Sequence, residues 1–303
     1  MTQRILAKRY MKGIILAGGK GTRLYPLTQV ASKQLQAVYD KPMIYYPLTS
    51  LIENGVHEFC IISSPEDLPR FKQLLGHGRQ WGVSIEYREQ PNPEGIAQAF
   101  LIADTFIGND AVTLVLGDNM FYGPDAFVNA FEKFEGGATI FAYRVNNPEQ
   151  YGVVEFDKDG RAISLEEKPV NPKSPFVVPG IYLYDNQVVQ IVQNLKPSKR
   201  GELEITDVNI AYFNMDQLQV HRLERGFAWL DSGTSQSLHE AAAFVQTVEK
   251  RQGIKIGCPE EVAWRRGFIN EAQIDVLIGE MPSCDYRDYL TSLRIEGAAI
   301  GAN

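Results

Sequence analysis

A short apolar run, Gly13-Ile14-Ile15-Leu16-Ala17, leads directly into Gly18-Gly19-Lys20-Gly21-Thr22-Arg23-Leu24, and Lys33 follows shortly after. The apolar run, rich in β-branched residues and bounded by glycines, reads as a buried strand. Gly18, Gly19 and Gly21 carry no Cβ, so the chain leaving that strand can take positive φ and turn successive N–H groups toward phosphate oxygens. Arg23 adds a planar guanidinium fork and Lys33 a point charge. The junction therefore reads as a strand-to-loop polyphosphate site.

Two other glycine loops are excluded by their spacing. A dinucleotide fingerprint requires GxGxxG, but counting from Gly19 and Gly21 the third position is Leu24, and the next apolar run ends at Ser63-Ser64-Pro65 without an acidic residue for a ribose. A Walker loop requires Ser or Thr after its lysine, and Lys20 is followed by Gly21. A nicotinamide-dependent oxidoreductase falls with the first of these.

The rest of the first half alternates strands and helices. Strands are predicted near Gly13, Glu58 to Ser63, Ser84 to Tyr87 and Val112 to Leu116. Helices are predicted over Met43 to Asn54, Glu66 to Gly76 and Gly95 to Phe106, the last with Ile96, Ala99, Phe100 and Ala103 on one face. Such alternation implies a largely parallel sheet covered on both faces, with Asp118 just past a strand's carboxyl end, where open α/β sheets place ligands. From Ala138 the pattern changes to strands with turns: Thr139 to Val145, Gly152 to Phe156, Ala162 to Glu167 and Gly180 to Tyr184. Helical patterns follow at Ser235 to Arg251, Glu260 to Gly267 and Glu271 to Gly279.

Bulk properties narrow the function classes. The 303 residues suffice for one catalytic domain with additions, and a net charge of −7 without a dense Lys/Arg block argues against nucleic acid or an anionic membrane as partner. Cys60, Cys258 and Cys284 are odd in number and lack metal-ligand spacing, which fits a reducing compartment, most simply the cytoplasm. No apolar stretch approaches the roughly 20 residues of a membrane helix. Residues 1–11 read as an N-terminal extension, 12–252 as the main domain, whose pattern changes near 138, and 253–303 as a helical tail.

Several separated blocks carry a resemblance to a known family. They are Leu16 to Leu24, Ser32-Lys33-Gln34-Leu35, Tyr39 to Pro47, Leu116-Gly117-Asp118-Asn119, Tyr151 to Phe156, Glu166-Glu167-Lys168-Pro169, Arg200 to Asp207 and Ala228 to Thr234. In this order they resemble the sugar-nucleotide pyrophosphorylases, in particular the branch that forms dTDP-glucose. The resemblance implies an α/β fold with a Rossmann-like, mostly parallel sheet, a smaller β-rich sugar-binding part and a helical tail, so that 12–252 is the catalytic domain, with a nucleotide half at 12–137 and a sugar half at 138–232. It implies Mg²⁺-dependent transfer of a thymidylyl group from dTTP to glucose 1-phosphate, the first step toward dTDP-rhamnose, in a homotetramer inhibited by dTDP-rhamnose near Arg251 to Ile269. Arg265 and Arg266 are candidates for that anion, or else a solvated helix face.

The resemblance also implies the site residues, from these blocks, from the segment Gln90 to Gly95 and from Val178. Leu16, Gly18, Gly19, Gly21 and Thr22 are expected to bind the nucleotide, with Gln34 near the nucleoside and Gln90 and Gly95 at the base. Arg23 is assigned to the β- and γ-phosphates, Lys33 to phosphates near the reacting centre and Lys168 to the sugar phosphate. Tyr151, Gly152, Glu167, Val178 and Trp229 surround the sugar. Asp118 and Asp231, each following an apolar segment, match the family's metal-binding aspartates. The attacking phosphate monoester has a second pKa of about 6 and is already charged at pH 7, so the site has to supply alignment and charge neutralisation, with no general base. Two departures stand out. Gln36-Ala37 replaces the family's Leu-Pro and is expected to loosen the loop that aims Lys33, and Pro179 replaces Thr beside the sugar pocket. The competing readings are the same fold using UTP, and a non-catalytic regulatory subunit that binds sugar nucleotides.

Overall fold

The computed structural model describes residues 11–19, 21–123 and 127–300, with side chains through Glu296; residues 1–10 of the expected extension, and Lys20, lie outside it. Its elements are β1 (Met11–Leu16), β2 (Ala37–Val38), β3 (Lys41–Pro42), α1 (Tyr45–Glu53), β4 (Glu58–Ser63), α2 (Leu68–Leu75), β5 (Ser84–Glu89), α3 (Gln98–Ile102), α4 (Asp104–Ile107), β6 (Ala111–Leu116), β7 (Asn119–Tyr122) and α5 (Val128–Glu132). There follow β8 (Ala138–Arg144), β9 (Gly152–Phe156), β10 (Ala162–Glu167), β11 (Phe176–Val177), β12 (Ile181–Tyr184), α6 (Gln187–Gln193), α7 (Ile205–Asn214), β13 (Leu218–Arg222) and β14 (Ala228–Asp231). The tail is α8 (Ser235–Gln252), α9 (Pro259–Arg265), α10 (Glu271–Glu280) and α11 (Asp285–Ile300).

A ten-stranded sheet organises these elements in the order β10-β9-β11-β8-β12-β6-β1-β4-β5, with β13 beside β8. The block β5-β4-β1-β6 is parallel, as the alternation of strands and helices predicts. β12 runs antiparallel to both β6 and β8, so the strands of the second half continue the same sheet. Successive residues of β1 and β4 alternate between two buried faces. Ile15, Phe59 and Ile61 pack with α1, α2 and the tail helices, whereas Ile14, Cys60 and Ile62 pack with α3, α4, α6 and α7. Burial on both faces is why these strands read as continuous apolar runs. A third cluster, including Val38, Met43, Tyr46, Met120, Ala241 and Val245, seats α8.

The helix expected over Gly95 to Phe106 is two shorter helices. Its first turn is lost because the chain at Leu203 takes the hydrogen bonds that would start it: Leu203 N–H donates to Glu94 O (2.7 Å) and Ala97 N–H donates to Leu203 O (3.1 Å). Gly95 makes that approach feasible, with φ at +107° and a backbone so close that a Cβ would stand 2.3 Å from Leu203 O. The predicted apolar face survives the break, since Ala99, Phe100 and Ala103 are all buried in one cluster.

Candidate active site

Strand order reverses between β1 and β6, the position at which open α/β sheets leave a crevice beyond their carboxyl ends. Leu16, the last residue of β1, is buried; its carbonyl accepts the Gly117 N–H (2.9 Å), and Ala17 N–H donates to Ile62 O (2.7 Å). The parallel register thus brings Gly18, Gly117 and the end of β4 to one edge. Gln90, just past β5, joins them by donating its N–H to Ser63 O (2.8 Å). Its side chain lies against Gly18, where a Cβ would stand 2.4 Å from Gln90 Oε1. Gly19 and Gly21 have φ of +101° and +55°, the conformation expected of the phosphate loop. Thr22 and Arg23 form a short exposed turn anchored by buried Leu24.

A cavity of about 320 Å³ opens beside this loop. Arg23, Asp118, Tyr151, Gly152, Glu167, Lys168, Val178, Trp229 and Asp231 all line it, so residues assigned to phosphate, sugar and metal meet in one place. Sheet pairing brings the two aspartates together. Asp118 lies between β6 and β7, and β14 pairs antiparallel with β7 so that Asp231 stands opposite Asn119. Burial and the neighbouring Asp118 charge push the Asp231 carboxyl up to about 6, against the pull of Lys33, Arg23 and the Gly233 N–H. Gly233 leaves room for this contact, as a Cβ there would stand 3.0 Å from Arg23 Nη2 and 3.1 Å from Asp231 Oδ1. Lys33 forms an ion pair with Asp118.

On the far wall, β9 and β10 pair so that Glu167 faces Gly152. Glu167 accepts a hydrogen bond from Thr206 Oγ1 (2.5 Å) and lies 3.4 Å from Lys168 Nζ and 3.6 Å from Arg200 Nη2. Lys168 has φ of +43°, and its N–H donates to Tyr151 O (3.0 Å), fixing the turn that carries its side chain. Trp229 packs edge-on to Tyr151, with ring centroids 5.1 Å apart.

Three contributors were not identified from sequence. Asn119 donates to Asp118 Oδ1 (3.0 Å) and accepts from Gly180 N–H (3.0 Å) and Trp229 Nε1–H (2.7 Å), tying the aspartate to two cavity walls. Thr206 and Arg200 both address Glu167. Asn119 directly follows Asp118, and the other two lie in the Arg200 to Asp207 block, so a signal was present without a role attached. Gln34 is buried, with its Oε1 unpartnered among the described residues. Gly95 is placed against Leu203. The Gln36 departure fastens its loop instead of loosening it: Nε2 donates to Leu27 O (3.0 Å) and Ala31 O (3.3 Å).

Among the described residues, no group of three or more His, Cys, Asp or Glu side chains could hold a metal ion. Asp118 and Asp231 are a two-carboxylate donor set, and a divalent cation between them would offset the repulsion that raises Asp231. A second cavity, of about 620 Å³, lies between α1, β7 and α9 and is lined by Lys255, Arg265 and Arg266 with Tyr46, Tyr122 and Cys258. No helix among the described residues is long and apolar enough to cross a membrane.

Residues 12–248 match the Nucleotidyl transferase family. The chain is 56% identical over 285 residues to a glucose-1-phosphate thymidylyltransferase of Mycolicibacterium smegmatis, covering 93% of this chain and 99% of that one. It is similar to a solved Bacillus anthracis structure in complex with sucrose, provisionally named a glucose-1-phosphate thymidylyltransferase (42% identity, TM-score 0.72, 77% of this chain and 94% of that one). A UDP-glucose pyrophosphorylase bound to UDP-glucose shares the fold at 20% identity (TM-score 0.70, 78% of this chain and 99% of that one). With a glycine loop, paired aspartates and the Glu167–Lys168 wall around one crevice, the chain is a nucleotidyltransferase and belongs to the glucose-1-phosphate thymidylyltransferase family.

Proposed function

We propose that the protein transfers the thymidylyl group of dTTP to glucose 1-phosphate, forming dTDP-glucose and pyrophosphate. The observation that carries this reading is the meeting of Arg23, Asp118, Asp231, Glu167 and Lys168 in one cavity of a chain 56% identical to an enzyme of that name. The sugar phosphate attacks the α-phosphorus and pyrophosphate leaves. Arg23 neutralises the departing β- and γ-phosphates, Lys33 the phosphates near the reacting centre, and Lys168 holds the nucleophile in line. Glu167, oriented by Thr206, accepts hydrogen bonds from sugar hydroxyls, while Tyr151, Gly152, Val178 and Trp229 shape the pocket. Asp118 and Asp231 would hold Mg²⁺, which takes one or two carboxylates and completes its shell with phosphate and water oxygens. Bound there, the ion supplies charge neutralisation between the two phosphate groups.

The phosphate loop, Leu16 to Thr22, cradles the nucleotide, Gln34 Oε1 receives a hydrogen-bond donor from the nucleoside, and Gln90, with Gly95, meets the imide edge of thymine. That edge is shared by uracil. Pyrophosphate release from glucose 1-phosphate with dTTP, UTP, dCTP, ATP and GTP, with and without Mg²⁺, tests the reading. Fast Mg²⁺-dependent turnover with dTTP is expected, and its loss in Asp118→Asn. A strong preference for UTP would change the nucleotide but keep the chemistry. No turnover with any nucleotide, in folded protein that binds dTDP-sugars, would leave a regulatory subunit.

The cavity holding Lys255, Arg265 and Arg266 is the proposed feedback site for dTDP-rhamnose, in a cytoplasmic homotetramer that supplies dTDP-rhamnose synthesis. Arg265 is exposed and pairs with Glu261 (2.8 Å), whereas the Arg266 guanidinium donates to Glu53 O and Lys255 pairs with Asp40 and Glu249, which leaves Arg265 as the group to meet an anion. Light scattering and inhibition by dTDP-rhamnose test assembly and feedback. Inhibition unchanged in Arg265→Glu would remove that arginine from the site.

A further inference from the structure

A glutamine amide is nearly symmetric in shape but opposite in polarity at its two ends. Thymine and uracil present an N3–H donor flanked by carbonyl oxygens. Cytosine presents an N3 acceptor flanked by an amino group. An amide free to turn over pairs with either edge, so a glutamine discriminates between them only if something fixes which end faces the base.

In this chain the fixing group is Gln98. The backbone N–H of Glu94 can only donate, and its ionised carboxylate can only accept. Glu94 N–H donates to Gln98 Oε1 (3.0 Å), and Gln98 Nε2 donates to Glu94 Oε2 (3.0 Å), so both ends of the Gln98 amide are determined. Gln98 Oε1 is therefore an acceptor toward Gln90, and it receives Gln90 Nε2 at 2.7 Å. Gln90 Oε1 is left turned toward the phosphate loop, against Gly18. Gln90 is buried and has little room to escape this arrangement.

We propose that Gln98, anchored by Glu94, is a specificity-determining positioning residue that holds Gln90 with its carbonyl oxygen toward the nucleobase, so that the site accepts an imide N3–H and rejects cytosine. The inference rests on the reading of Gln90 as the base-recognising residue. A locked Gln90 sets oxygen against the cytosine N3 lone pair. Pairing with cytosine would need the amide to turn over, which would set its nitrogen away from Gln98 and leave two oxygens facing each other.

The test is kcat/KM for dTTP and dCTP, with glucose 1-phosphate saturating, in the full-length wild type, Gln98→Leu, the double variant Glu94→Gln/Gln98→Glu, and Gln90→Leu. Gln98→Leu removes the acceptor, and the dTTP-to-dCTP ratio is expected to fall roughly tenfold or more, the scale of a buried polar group no longer forced into a mismatch, with a gain in the dCTP value itself. The double variant exchanges amide and carboxylate while keeping an acceptor toward Gln90, so it should retain the wild-type ratio within about threefold, as its conserved polarity requires. It also keeps the proposal testable if Gln98→Leu folds poorly. A Gln98→Leu enzyme that loses activity equally on both nucleotides would overturn the proposal, because a structural role alone predicts that result. So would a double variant whose ratio collapses. If Gln90→Leu keeps the wild-type ratio, the base-recognition reading itself has failed.

Discussion

Glu249 offers a stability prediction whose size can be worked from the structure. This carboxylate of α8 is buried and accepts from Lys41 Nζ (3.0 Å), Lys255 Nζ (3.0 Å) and Ile256 N–H (2.9 Å). Asp40 pairs with the same two lysines. The network joins the β2–β3 hairpin, which directly follows the Lys33 turn, to the end of α8. In Glu249→Leu, Lys41, whose side chain is 2% exposed, keeps Asp40 as its one carboxylate among the described residues, beside the Tyr46 ring (5.2 Å). Breaking a buried pair costs about 3–5 kcal/mol, and the remaining Asp40 places this case at the lower end. The orphaned Ile256 N–H adds about 1 kcal/mol, for an expected loss of roughly 3–4 kcal/mol. Glu249→Gln keeps an acceptor for Ile256 but leaves two ammonium groups sharing one carboxylate, so about half that loss is expected. Urea unfolding at pH 7.5, followed by fluorescence and circular dichroism, measures both. The double variant Lys41→Met/Glu249→Leu should recover much of the stability, because the unpaired buried charge is then gone. A loss below about 1 kcal/mol in Glu249→Leu would refute the reasoning, since it would mean that water reaches Lys41 easily.

Three further outcomes are expected. Gly95→Ala places a Cβ against Leu203 O at a φ of +107°; it should destabilise the protein by about 1–3 kcal/mol and raise the KM for dTTP more than that for glucose 1-phosphate. Trp229→Phe keeps an aromatic wall but removes the 2.7 Å hydrogen bond to Asn119, whose Oδ1 still holds the Gly180 N–H; a loss of about 1 kcal/mol and a several-fold rise in the KM for glucose 1-phosphate are expected by steady-state kinetics. Burial raises the Asp40 carboxyl, but Lys255 and Lys41 outweigh it and hold the group below its ordinary value. A depressed carboxyl stabilises the fold above its unfolded pKa of about 3.9, and that contribution fades as pH falls through the lower folded value. Acid titration should therefore unfold Asp40→Asn with a shallower pH dependence than wild type.

The glycine loop after β1 was legible because its signals are local: an apolar run, glycines at the residues that take positive φ, and an arginine on the next turn. The parallel block was legible because both faces of β1, β4 and β6 are buried, which leaves uninterrupted apolar runs. Elements that depend on distant partners were not. β7 is only four residues long and is separated from β6 by just two residues, so Asn119 to Tyr122 looks like a loop until β14 pairs with it. The break before α3 comes from the chain at Leu203, remote in sequence from Glu94 and Ala97. The helices α6 and α7 pack on the sheet face formed by Ile14 and Leu114, an apolar demand that no window around either helix reveals. Among the site residues, Asp118 could be placed from its strand, whereas the bonds that Trp229 and Gly180 make to its neighbour Asn119 come from remote parts of the chain.

That dependence on pairing has a consequence for the two aspartates. Asp118 and Asp231 are far apart in sequence, and their juxtaposition rests on the β7–β14 register, in which Asp231 meets Asn119 and Leu230 meets Met120. Strand side chains alternate between faces, so a slip of one residue would turn Asp231 away from Asp118 and bring Leu230 toward the cavity. The register is held by what lies behind the strands. Met120 and Leu230 belong to the apolar cluster under α8, and on the cavity side Trp229 donates to Asn119. The spacing of the two carboxylates is therefore maintained by apolar packing of α8 as much as by any polar contact in the crevice. Substitutions at Ala241 or Val245 that enlarge the α8 face should therefore disturb the aspartate pair from behind the strands.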